Sequence, residues 1–344
     1  MKKVKLAVIG AGNVGRIHVE NIVNKLDNAE LVAVSDFYPE KYNEIASEKG
    51  WPLARKEYRE ILKDEEVDAV VIATPAALHG DMIIESAKAG KDVFCEKPLD
   101  YDKEKIVEIM KIVEETGIKL QIGFNRRFDK NFMKAKELVE TGKLGDIHVI
   151  KITSRDPSPP GMEYFTAPGG EHCSIYTDTT IHDFDMVRFF NPAEVVEVYA
   201  MGSKLINKDV EEITRDDTCV ITLRFEDDSL AVIDNSWEAV YGYDQRSEVF
   251  GTKGAVTVEN DVFSETTLHA TEGIISEKPL VTIKDRYGES YANEIKAFVD
   301  AIQNDAKVPV DAYDGLISIV IADAARLSAE ENRPIKIKEL MPEM

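Results

Sequence analysis

The segment Val8-Ile9-Gly10-Ala11-Gly12-Asn13-Val14-Gly15 constrains this chain more than any other. Three glycines at these intervals, entered from an apolar run and left through an amphipathic one, predict a strand, a tight turn and a helix. Gly10 permits the turn, Gly12 lets a ligand approach the backbone, and Gly15 lets the helix pack closely on the strand. A helix opening at Asn13 and Val14 aims free NH groups and its positive end at whatever lies before the turn, which suits a pyrophosphate. The next strand-like run, Leu31 to Ser35, leads to Asp36, where an acid accepts both ribose hydroxyls of an adenosine. Asp36 would repel a ribose phosphate and no arginine follows it, so the expected cofactor is NAD and not NADP. The plainer alternative, a glycine turn and an acid that caps the next helix, does not account for the full order of strand, turn, helix, strand and acid.

The same alternation continues to about Phe124. Strands are expected at Val4 to Ile9, Leu31 to Ser35, Ala69 to Ala73, Asp92 to Cys95 and Lys119 to Ile122, with helices at Val14 to Lys25, Pro39 to Lys49, Gly80 to Lys88 and Lys103 to Glu115. Helical crossovers between short strands imply a parallel sheet covered on both faces. Beyond Phe128 the texture changes. A helix from Lys130 to Glu140 precedes a strand, a loop with Pro157, Pro159, Pro160 and Pro168, and a helix from Thr179 to Phe190. After Glu194 alternating strands joined by turns such as Glu226-Asp227-Asp228-Ser229 read as antiparallel, and helices near Tyr291 to Asn304 and Asp314 to Glu331 close the chain. Two domains are therefore expected, at 1–124 and 125–344, and 344 residues suffice for two cores.

Charge and cysteine content exclude several classes of function. A formal net charge of −22 makes nucleic acid and anionic membranes poor partners, because both need basic patches. An anionic ligand must then be held by backbone amides or by a few placed cations. The three cysteines, Cys95, Cys173 and Cys219, are an odd and scattered set that fits a reducing cytoplasm. The Lys-rich start is read as the lead into strand one and not as a signal peptide, and no run approaches the roughly 18 apolar residues of a membrane span.

In an open parallel sheet the ligand crevice lies beyond the carboxyl ends of the strands. Three segments should end there: Thr74-Pro75 with His79, Glu96-Lys97-Pro98, and Gly123 to Asp129, which includes Asn125 and Arg127. Pro98 fixes the backbone after Lys97, and in its cis form would aim the ammonium into the crevice. A second constellation, Asp178-Thr179-Thr180-Ile181-His182-Asp183-Phe184-Asp185, spaces Asp178, His182 and Asp185 four and then three apart, which is one face of a helix. A carboxylate beside an imidazole raises its basicity and fixes its tautomer, as a general base requires. The alternative is a helix capped by Asp178 with His182 satisfied inside.

The glycine turn, Glu96-Lys97-Pro98, Gly123 to Asp129, Ser154-Arg155-Asp156-Pro157, Gly169-Gly170, the Asp178 to Asp185 run and Tyr241-Gly242-Tyr243-Asp244-Gln245-Arg246 together resemble the Gfo/Idh/MocA oxidoreductases, and within them the inositol dehydrogenase branch. The resemblance spans essentially the whole chain. It implies an α/β fold: an N-terminal Rossmann parallel sheet at 1–124 that binds NAD, then a substrate-binding and oligomerisation α/β domain at 125–344 with an open, mostly antiparallel sheet. It further implies a homotetramer or homodimer, and a small neutral polyol or sugar as substrate. Lys97, Asp178 and His182 would form the catalytic set. Gly10, Gly12, Asn13, Val14, Gly15, Asp36, Thr74, Pro75, His79, Glu96 and Lys97 would meet the cofactor, and Asn125, Arg127, Arg155, Asp156, Tyr241 and Tyr287 the substrate along with Asp178 and His182. The implied reaction oxidises a secondary hydroxyl of a cyclic polyol, myo-inositol to its 2-ketone. The alternatives are a sugar or ketosugar oxidoreductase of the same family and a nicotinamide-sensing regulator without turnover. The chain departs from the family pattern in the residues Glu171 to Thr177 between Gly170 and Asp178. These bring His172 and Cys173 near His182, but without a compact zinc spacing, and no metal is expected.

Overall fold

The computed structural model describes residues 2–166, 169–206 and 216–343. Pro168 of the proline-bearing loop lies outside them. Two compact units separate, one drawn from Met1–Phe128, Gly288–Ile319 and Pro342–Met344, the other from Asp129–Tyr287 and Val320–Met341. These units are not continuous in sequence: residues 125–128 and a late segment group with the first unit.

In the first unit six strands run β1 (Val4–Ile9), β2 (Ala29–Ser35), β3 (Ala54–Arg55), β4 (Ala69–Ile72), β5 (Asp92–Glu96) and β6 (Leu120–Gly123), separated by α1 (Asn13–Lys25), α2 (Pro39–Lys49), α3 (Tyr58–Leu62), α4 (His79–Lys88) and α5 (Lys103–Thr116). The strands pair in the order β3-β2-β1-β4-β5-β6 and every pairing is parallel. Strands covered on both faces read as unbroken apolar runs, and Ala69-Val70-Val71-Ile72 is wholly buried. The strand order reverses between β1 and β4, which opens a crevice at their carboxyl ends. The glycine turn leaves β1 at that point.

The second unit contains α6 (Lys130–Glu140), β7 (Ile147–Arg155), α7 (Met162–Thr166), α8 (Ile175–Asp178), α9 (Ile181–Phe190), β8 (Val195–Ser203), β9 (Thr218–Phe225), β10 (Leu230–Ser236), β11 (Asp244–Gly251), β12 (Gly254–Val258) and the small hairpin β13 (Thr267–Ala270) and β14 (Gly273–Ser276). Two long helices follow, α10 (Ile283–Gln303) and α11 (Ala312–Glu331), and then β15 (Ile335–Lys336). Seven strands pair in the order β12-β11-β7-β10-β9-β8-β15, all antiparallel except β7 with β10. Burial along β9 alternates residue by residue, as expected for a sheet with one covered and one open face. Among the described residues no helix is long and apolar enough to cross a membrane, and all three cysteines are buried free thiols.

Candidate active site

The residues singled out in the sequence fall into one group in each unit. In the first unit the glycine turn behaves as its spacing requires. Gly10 has φ +92°, and a Cβ there would lie 2.6 Å from the Ala73 carbonyl oxygen. A Cβ on Gly15 would lie 1.9 Å from the Gly10 carbonyl oxygen, so α1 can approach β1 only through glycine. Gly12 differs: a Cβ there would meet nothing within 4 Å. Its smallness serves no contact within the protein, whereas a phosphate seated before the first turn of α1 would use that space. Asn13 and Val14 open the helix, and the Asn13 side chain accepts a hydrogen bond from Arg16 at 2.8 Å.

Asp36 stands just after β2 and accepts the Ala11 amide on one oxygen and the Tyr38 amide on the other, each at 2.7 Å. One carboxylate thus ties the glycine turn to the end of β2. Each oxygen retains a lone pair, so the pair can still receive two ribose hydroxyls. The turn, the helix end and the acid offer the open space, free NH groups and acceptor oxygens that NAD requires.

The other cofactor candidates line the neighbouring strand ends, but two of them turn inward. His79 is 1% exposed, with Nδ1 at 2.7 Å from the Pro98 carbonyl and Nε2 at 2.8 Å from that of Thr74. It therefore clasps the turn after β4 to the turn after β5, and burial holds its pKa below the ordinary value. Glu96 is buried and its carboxylate receives His18 Nε2 at 2.6 Å. Lys97 is half-buried at the end of β5, and the Lys97–Pro98 peptide is cis. Thr74 is half-buried and Pro75 exposed at the end of β4. Asn125 is buried in the turn after β6. Arg127 in that turn is held in a two-pronged pair by Asp314 of α11, at 2.9 and 3.3 Å.

In the second unit Asp178 and His182 do not share a continuous helix. Asp178 ends α8 and α9 starts at Ile181; at the junction the Thr180 amide reaches back to the Ile175 carbonyl, a five-residue span in place of four. The expected helix start at Thr179 is corrected accordingly, because α8 has its own N-cap, Ser174, in reciprocal hydrogen bonds with Thr177. Both Asp178 and His182 are half-buried. Thr179, between them, accepts from Trp237 Nε1 at 2.8 Å and donates to Asp156 at 3.3 Å. This brings Asp156 to the Asp178–His182 segment.

Arg155, next to Asp156, leads elsewhere. Its guanidinium pairs with Asp234 and donates to the Tyr241 hydroxyl at 3.2 Å, and Tyr241 donates to Asp244 at 2.6 Å. Burial acts against ionisation of Asp244, but hydrogen bonds from Arg246, Tyr241 and Asn260 outweigh it and bring its pKa down to about 2. Tyr287 is buried and donates to Gln245 at 3.2 Å, which also receives Ser154 at 3.1 Å. The sequence reading missed Asp234, Asp244, Asp314, Thr179 and Trp237 as partners; of these Asp244 and Thr179 carried a signal, each lying within a quoted motif. Of the suspected metal ligands, Cys173 is buried while His172 is exposed, 3.7 Å from Glu171. Among the described residues the grouping of metal-capable side chains is instead His18, Glu96 and Glu294.

Comparison with known proteins places this geometry. Residues 4–124 match an oxidoreductase family described as an NAD-binding Rossmann fold, and residues 132–257 match the GFO/IDH/MocA C-terminal domain. The chain is 40% identical to a Myo-inositol 2-dehydrogenase of Thermotoga maritima, over 98% of this chain and 99% of that one. It is also 40% identical to an Inositol 2-dehydrogenase of Rhizobium meliloti, over 97% and 99%. A crystal structure of scyllo-inositol dehydrogenase from Lactobacillus casei, with bound NAD(H) and scyllo-inositol, superposes with a TM-score of 0.90 at 30% identity, covering 98% of this chain and 100% of that one.

Proposed function

Because the chain belongs to the Gfo/Idh/MocA family of NAD-binding oxidoreductases, we propose that it oxidises a secondary hydroxyl of a cyclic polyol, myo-inositol, to 2-keto-myo-inositol. The observation that carries this reading is the 40% identity, over nearly the full length, with two proteins named as inositol 2-dehydrogenases. When bound, NAD supplies the hydride acceptor. Gly12, the first turn of α1 and Asp36 bind and orient it. His182 takes the hydroxyl proton and Asp178 orients the imidazole. Lys97 donates a hydrogen bond to the same oxygen as negative charge develops there. His79 and Glu96, both buried, shape the strand ends against which the cofactor lies. No metal has a role in this scheme.

Asn125, Arg127, Asp156, Tyr241 and Tyr287 offer hydroxyl partners, and Arg155 acts from within its network with Asp234. Arg127 and Arg155 are each neutralised by a carboxylate. That favours a neutral substrate over a phosphate or an acid. The protein is proposed to be cytoplasmic and to assemble as a homotetramer or homodimer through the open face of its seven-stranded sheet. Myo-inositol carrying deuterium at the carbon of its axial hydroxyl tests the substrate: label should pass to the nicotinamide. Efficient NAD reduction by a pyranose, with no label transferred from inositol, would move the assignment to a sugar oxidoreductase and implicate Glu171 to Thr177. No turnover with either, alongside tight NAD binding, would favour the sensing regulator.

A further inference from the structure

Behind the end of β5 the first unit holds three ionisable side chains on its covered side. His18 of α1, Glu96 of β5 and Glu294 of α10 are all buried, and one ligand-capable atom of each lies within 4.8 Å of the others. His18 Nε2 meets Glu96 Oε1 at 2.6 Å, whereas both carboxyl oxygens of Glu294 and His18 Nδ1 have no hydrogen-bond partner. The walls are aromatic, with the His18 ring edge-on to Phe94 at 5.3 Å and to Tyr291 at 5.6 Å. Gly123, the register partner of Glu96, leaves the space: a Cβ there would come within 3.1 Å of Glu96 Oε2.

We propose that His18, Glu96 and Glu294 form a buried positioning set that fixes the end of β5, and through it Lys97, for the reaction. The inference takes the role of Lys97 from the function proposed above; the state of the three side chains stands apart from it. Two carboxylates this close in an apolar wall repel strongly, and a buried carboxylate without a donor is costly. Burial, and then the charge of Glu96, hold the Glu294 carboxyl far above the usual carboxylate range. Glu294 is therefore a neutral acid, and a single carboxylate, Glu96, is left to engage His18. Tyr291 on α10 faces them, and Cys95 beside Glu96 and His79 of α4 feel the same Glu96 charge. A metal does not suit the geometry. Ligands about 2.1 Å from a tetrahedral ion stand about 3.4 Å apart, wider than the 2.6 Å between His18 and Glu96.

The sign of the pH dependence follows from linkage. An acid kept neutral by the fold but ionised when unfolded stabilises below the unfolded pKa, and that contribution is lost as pH rises toward the folded one. Glu294→Gln mimics the neutral acid at every pH. In thermal unfolding without substrate, the melting temperature of Glu294→Gln relative to the unaltered protein should rise by about a few degrees between pH 5 and pH 8. In turnover, Glu96→Gln should lower kcat by about tenfold to a hundredfold through misplacement of Lys97, with the KM for NAD within about threefold. Glu294→Gln should restore kcat lost in Glu294→Ala. A melting difference that does not vary with pH, an unchanged kcat in Glu96→Gln, or a stoichiometric metal that Glu294→Gln loses would each overturn the proposal. If the unaltered protein does not oxidise inositol, the functional reading fails, while the melting series still decides the state of Glu294.

Discussion

At the scale of single residues, the three glycines separate fold from function. Gly15→Ala places a Cβ 1.9 Å from a backbone oxygen that cannot retreat without moving β1. It should destabilise the protein by several kcal/mol or prevent folding, as overpacking against backbone does. Gly12→Ala meets open space. It should leave the melting temperature nearly unchanged while weakening NAD binding about tenfold or more by obstructing the phosphate approach. Calorimetric titration beside thermal unfolding reads both, and a Gly12→Ala protein that binds NAD normally would sink the cradle. Asp36→Ala removes the ribose acceptor and the tie to Ala11. NAD affinity should fall and discrimination against NADP relax; equal turnover of the two cofactors by the unaltered protein would contradict that reading. Gly10, Gly15, Asp36 and Lys97 were legible because each announces itself locally, by a glycine interval or a place at a strand end. Their partners were not. Asp314 is 187 residues from Arg127 and Asp234 is 79 from Arg155, and no local pattern encodes such pairs. Glu294 left a faint trace, an acid at helical spacing among Tyr287, Tyr291 and Phe298.

Among elements, strongly periodic segments were read closely: the helices Pro39–Lys49 and Lys130–Glu140 lie where their apolar spacing puts them. Two helices were misjudged for physical reasons. The α10 helix starts at Ile283, eight residues before the expected Tyr291, because packing carries it through Gly288, a weak helix former. The α8–α9 break was hidden because a four-residue spacing survives a one-residue change of phase. That junction is held by Thr179, so Thr179→Val keeps the shape and deletes both hydrogen bonds. It leaves Trp237 Nε1 buried without an acceptor and should destabilise by about 1–3 kcal/mol, with kcat reduced as Asp156 and Asp178 lose their support. Urea unfolding and steady-state kinetics measure the two effects, and no change in either would show the junction to be held by packing alone. His182→Ala provides the reference: loss of a general base costs about a hundredfold to ten-thousandfold in rate, with NAD binding kept. A fully active, folded His182→Ala protein would refute the assignment.

For the whole molecule, the register of the second sheet gives the proposed assembly a physical basis. Its open face is ordered in rows across the strands. Met201, Val220 and Asp234 align in one, Tyr199, Thr222, Val232 and Lys151 in the next, and Leu230, Val149 and Phe250 in the third. Met201 is 64% exposed, Val220 51%, Phe250 45%, Leu230 42% and Val232 36%. Adjacent exposed apolar side chains on a flat sheet face are uncommon on monomers and mark contact surfaces. The sequence held this information as alternation along each strand, but only the register shows that the exposed positions adjoin. A second copy of the chain is a suitable cover, because the charges on the same face are of both signs and already balanced, Lys151 by Glu248 at 2.8 Å and Arg224 by Glu197 and Asp228, so two such faces can meet across a two-fold axis without like-charge repulsion. With a net charge of −22, association must overcome general repulsion, so moderate salt should strengthen it. Sedimentation at micromolar protein should therefore find a dimer or tetramer, and the double substitution Val220→Glu with Val232→Glu should yield smaller, still folded species. A monomer before substitution, or an unchanged assembly after it, would remove this face from the interface.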